Sequence, residues 1–75
     1  MRKITVVIER AENNFSAYVR EVDGISATGQ SMDEIKTSVI EAIDEYITAC
    51  NELGLEVPQE LQDEYEITFD LDIQS

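Results

Sequence analysis

Ile4, Val6 and Ile8 alternate with Thr5, Val7 and Glu9, the two-residue period of a β-strand. The apolar Val7 on the second face suits a central strand. Ala11-Glu12-Asn13-Asn14 supplies turn chemistry, because Asn tolerates left-handed backbone and bonds its own main chain. Phe15, Ala17 and Val19 then alternate with Ser16, Tyr18 and Arg20, which predicts a hairpin. Val22-Asp23-Gly24 is a second turn, and Ile25-Ser26-Ala27-Thr28 a short third strand. The three strands should form an antiparallel meander.

The period changes after Gly29-Gln30. Ser31-Met32-Asp33-Glu34 fits a capping box, with the Ser31 hydroxyl on the third helical amide and two acids at the positive end of the helix dipole. Met32, Ile35, Val39, Ala42, Ile43, Tyr46, Ile47, Cys50 and Leu53 recur at three- and four-residue steps and form one apolar stripe. Asp33, Glu34, Glu41, Asp44, Glu45, Thr48, Asn51 and Glu52 fall on the opposite arc. The pattern predicts a helix over 32–52, ended by Gly54 and barred from continuing by Pro58. One further turn of helix is expected at 59–62. Tyr65, Ile67, Phe69 and Leu71 then alternate with Glu66, Thr68, Asp70 and Asp72 as a last strand with one wet face. The order is β-β-β-α-β, an α+β fold with one helix on one face of a four-stranded sheet and the last strand parallel to the first.

Length and composition narrow the functions open to such a fold. The 75 residues allow one domain, 1–75, and too little core for a large enclosed active site. Hydrophobic residues make up 43% of the chain, too many for a disordered acidic tail. There is no His and one Cys, so a disulfide framework, a zinc site and His-based catalysis are unavailable within one chain, and no cofactor is expected. Cys50 lies on the helix stripe, where a packed, inert thiol is expected. The apolar start, Ile4 to Ile8, is stopped by Glu9-Arg10 before it reaches signal-peptide length, and no run approaches the roughly 20 residues of a membrane span. A cytoplasmic protein without membrane contact is expected.

Charge is segregated. The net charge is −12; all five cations and six acids lie in residues 1–36, and residues 37–75 hold eleven acids and no cation. That surface repels phosphate backbones, so direct nucleic-acid binding is not expected. It serves solubility, or it is complementary to a basic partner. Carboxylates are the only abundant reactive groups, and Glu9, Asp70 and Asp72 would be the set to hold Mg²⁺ beside a helix acid. No cation or His is at hand to steady a phosphate, and Ser16, Ser26 and Thr28 have no base. The glycines are too scattered for a phosphate loop. The chain is therefore expected not to be an enzyme.

The segments Ile4-Thr5-Val6-Val7-Ile8-Glu9, Phe15-Ser16-Ala17-Tyr18-Val19, Gly24-Ile25, Gly29-Gln30-Ser31-Met32-Asp33-Glu34, Glu41-Ala42-Ile43 and Tyr65-Glu66-Ile67 resemble the N-terminal domain of HicB-type antitoxins. The resemblance implies a partial RNase H-like fold. It also implies a non-catalytic antitoxin that masks the active site of a small basic mRNA endonuclease, a HicA-type toxin. Many members carry Pro and Cys around the second turn, whereas Arg20-Glu21-Val22-Asp23-Gly24-Ile25 has neither. Members commonly continue into a DNA-binding domain; this chain ends at Asp72-Ile73-Gln74-Ser75, so the expectation is one HicB-like domain, solo or part of a longer protein. With a basic partner, Glu41, Asp44, Glu45 and Glu52 become the expected partner-binding arc. A homo-oligomer is also expected, because a core this small is marginal and the meander leaves open edges at its third and last strands. The other reading is a degenerate RNase H-like domain with a structural or oligomerising role only.

Overall fold

The computed structural model describes residues 2–62 and 64–72. Strand β1 (Arg2–Arg10) pairs antiparallel with β2 (Phe15–Val19), which pairs antiparallel with β3 (Ser26–Gly29). Helix α1 (Met32–Glu52) and a 3₁₀ turn (Gln59–Leu61) lead to β4 (Tyr65–Asp72), which lies parallel to β1. The sheet order is β3-β2-β1-β4, so β1 is central and β3 and β4 are the edges. This is the α+β, β-β-β-α-β arrangement the pattern predicts. Residues 73–75, on which the question of a continuing chain turns, lie outside the described residues.

Register assigns the faces. Val6 stands opposite Val19 and Phe69, and Ile8 opposite Ala17 and Leu71. Ile4, Val6, Ile8, Ala17 and Val19 therefore share one face, and they pack with Ile35, Val39 and Ile43 of α1. Ile4, Val6, Ile8, Ile35 and Val39 are fully buried, each contributing about 1.5–3 kcal/mol by its removal from water. Thr5, Val7, Glu9, Tyr18, Glu66, Thr68, Asp70 and Asp72 occupy the other face, away from the helix.

Both ends of α1 are capped as the residues require. The Ser31 hydroxyl accepts from the Glu34 amide at 3.1 Å. At the other end Gly54 takes φ +69°, and the Leu55 amide donates to the Cys50 carbonyl at 2.8 Å while that of Gly54 donates to Asn51 at 3.3 Å. This left-handed closure ends the helix. Three details differ from expectation. The third strand runs from Ser26 to Gly29, with Ile25 buried just before it, after the turn at Asp23-Gly24. Leu53, assigned by period to the packing stripe, is 72% exposed because it is the C-cap residue, where the chain leaves the helix axis. Leu71, on the core face of β4, is 53% exposed.

The exposure of Leu71 follows from where the helix sits. Gly29 brings β3 against the first turn of α1 so closely that a methyl there would lie 2.8 Å from the Ile35 nitrogen. That contact holds the start of α1 over one edge of the sheet. The opposite edge is three strand spacings away, about 14 Å, and a helix with its side chains is only about 10 Å wide. One helix cannot cover four strands, so the flank along β4 is left partly open.

Candidate functional surfaces

The stripe that buries Ile35, Val39, Ile43 and Cys50 turns the acids of α1 outward. Glu41, Asp44, Glu45 and Glu52 are all exposed. At 100° per residue they span an arc of about 100°, and at 1.5 Å per residue about 16 Å of helix. Within that arc their surroundings differ. Asp44 faces the β4 side: burial raises the Tyr65 pKa, and the negative charge of Asp44 raises it further. Glu45 lines a shallow cleft of about 300 Å³ on the other side, with Gly24, Ile25, Ser26, Ala42 and Tyr46. Lys36 is the only cation on the helix, and its ammonium lies 5.2 Å from the centre of the Phe69 ring.

The carboxylates weighed for metal chemistry stand elsewhere. Glu9 and Asp72 are register partners on β1 and β4, and Asp70 is two residues away on the same face. Asp70 is engaged by the Arg20 guanidinium at 2.7 Å, a half-exposed pair worth at most about 1 kcal/mol. The helix lies against the opposite face of the sheet, so no helix acid can complete this set. Among the described residues no three His, Cys, Asp or Glu side chains are grouped to hold a metal ion.

Two residues outside the expected set shape these surfaces. The Glu21 carboxylate accepts from the Thr5 amide at 2.7 Å, continuing the ladder past the end of β2. Desolvation works to raise its pKa, but the Thr5 bonds and the charge of Arg20 outweigh it, so the net shift is downward. Ile40 is 42% exposed. It lies one turn from both Lys36, over Phe69, and Asp44, beside Tyr65, and so it borders the open flank along β4. The sequence does carry that signal, as an apolar residue beside Ile47 at the margin of the stripe.

No helix among the described residues is long and apolar enough to cross a membrane. Compared with protein-family models, curated proteins and solved structures, the chain matches none.

Proposed function

We propose that the chain is a non-catalytic, antitoxin-like binding module that neutralises a small basic mRNA endonuclease, a HicA-type toxin, by covering its active site. The observation that carries this reading is the exposed arc of Glu41, Asp44, Glu45 and Glu52, on a half of the chain that contains no Lys or Arg. Such a field steers a cationic partner and raises its association rate. The β-β-β-α-β order agrees with the family that the sequence segments resemble. On this reading the protein works in the cytoplasm, where its single thiol stays reduced and its target is messenger RNA.

The test uses the product of a neighbouring basic reading frame as partner. The chain at equimolar ratio is expected to stop mRNA cleavage by that protein. Replacing the four helix acids by Gln or Asn should slow association and flatten its salt dependence while the fold is retained. Full cleavage in the presence of excess chain overturns the reading. An unchanged association rate and salt slope in the four-fold variant removes the helix arc from it.

A further inference from the structure

We propose that the open edge of β4 is a strand-addition site for an extended, cationic segment of another protein, in which Lys or Arg alternates with apolar side chains. β4 is the last strand in the sheet order and presents eight residues, Tyr-Glu-Ile-Thr-Phe-Asp-Leu-Asp, along that edge. An edge strand exposes backbone amides and carbonyls that another strand can pair. Natural edges are usually blunted by shortness, by Pro or by charged side chains; β4 is eight residues long without Pro, and its charges are all acidic, which opposes a second acidic strand but not a cationic one.

The side chains specify the occupant. On the helix side, Tyr65, Ile67, Phe69 and Leu71 form a row that the helix covers incompletely, with Ile40 exposed above it. An added strand would continue that row with its own apolar residues. On the opposite face the β4 residues are Glu66, Thr68, Asp70 and Asp72. Lys3 is the register partner of Glu66, and Arg20 binds Asp70. Asp72 instead has Glu9 beside it, so the C-terminal end of the strand carries two neighbouring carboxylates. A cation on the added strand would fall there.

The same acids argue against a second copy. Two β4 strands related by a two-fold axis pair antiparallel, with residues of like face opposite one another. Centring the pair between Phe69 residues sets Glu66 opposite Asp72. Shifting it one way sets Glu66 opposite Asp70, and the other way sets Asp70 opposite itself. Directly opposed like charges destabilise a sheet pair, so each register is penalised. A homo-oligomer would then use the other edge, β3, whose outer-face residues Ser26 and Thr28 are uncharged.

The inference does not require the partner to be a nuclease, and its test alters different residues from those of the helix arc. The probes are a labelled peptide as long as β4 that alternates Lys and Val, a peptide of the same composition with Lys and Val in separate blocks, and an alternating Glu-Val peptide. Only the first is expected to bind, with slowed hydrogen exchange of β4 amides and unchanged exchange along α1. The paired substitutions Glu9→Gln and Asp72→Asn should weaken it about tenfold, while the four-fold helix variant should not. Absence of binding, equal binding of the block peptide, or protection confined to α1 would overturn the proposal.

Discussion

Replacing Gly29 by Ala should push the first turn of α1 away from the sheet. The added methyl would stand 2.8 Å from the Ile35 nitrogen, 2.9 Å from its α-carbon and 3.2 Å from the Glu34 carbonyl carbon. Ordinary carbon contacts lie at about 3.5–4.0 Å, so the backbones must part by roughly 0.7 Å or more. The obstructing atoms are helix backbone, held by the Ser31 cap and by the bond from the Ile35 amide to the Ser31 carbonyl at 2.9 Å. They cannot rotate aside as a side chain would. Moving them loosens Ile35 and Val39, both fully buried. Overpacking of this kind costs about 1–3 kcal/mol, and rigid backbone places this site at about 2–3 kcal/mol. At roughly 4–8 °C per kcal/mol for a domain of this size, Tm should fall by about 8–24 °C. Urea unfolding should show a lower midpoint with an unchanged slope. Gly54→Ala is the control: φ is +69° with open space around it, so only the backbone penalty of about 1–2 kcal/mol applies. A Gly29→Ala cost below about 0.5 kcal/mol would refute the reasoning, since it would mean that α1 is free to slide.

Three further outcomes follow from named contacts. Asp44→Asn should lower the Tyr65 pKa part of the way to its ordinary value, desolvation keeping the rest of the rise; an unchanged ring titration by NMR would place Asp44 away from β4. Because the Glu21 pKa is lowered in the fold, its contribution to stability is present above the ordinary carboxylate range and is lost as pH falls through the folded value. Glu21→Gln should remove that part of the acid dependence, and identical pH profiles in thermal melts would mean that the Thr5 bond does not form. Arg20 reaches Asp70 across β1, where Val7, flanked by Tyr18 and Asp70, is 2% exposed although it lies on the face without a helix. Arg20→Ala should cost about 1 kcal/mol, and Arg20→Met less than half of that if the stem crossing β1 contributes more than the ion pair. Equal losses in denaturant titrations would assign the effect to the ion pair.

Elements whose residues interact along the chain were legible in the sequence. The helix bounds, the Ser31 cap, the Gly54 terminus and the β4 alternation depend on neighbours a few positions apart, and the structure places them as the pattern predicts. What the pattern could not carry was lateral position. Periodicity says which side of α1 faces the sheet, but not that Gly29 holds its first turn to the β3 edge, so Leu71 read as core and is half-exposed. Glu9 and Asp72 become neighbours only through a pairing that spans most of the chain, and Arg20 meets Asp70 in the same way. For the acids, composition gave their number and period their outward direction. Asp44 beside Tyr65 and Glu45 beside the cleft required the packed sheet.

A sheet four strands wide under a single helix must leave apolar surface at one edge, and this chain leaves Ile40 and Leu71 there. Such a flank beside an unpaired strand would ordinarily promote aggregation. The acids bound it on both sides, with Asp44 and its neighbours on the helix above and Glu66, Asp70 and Asp72 on the far face of β4 below. A second copy approaching the edge brings its own net charge of −12 and meets like charge in each register. A cationic strand meets attraction from the acids of β4, above all where Asp72 stands beside Glu9. The arrangement that keeps the edge from pairing with itself is therefore also the one that selects what can pair with it. Solubility and recognition need not be competing explanations of the acidic half, because at this edge the same side chains supply both.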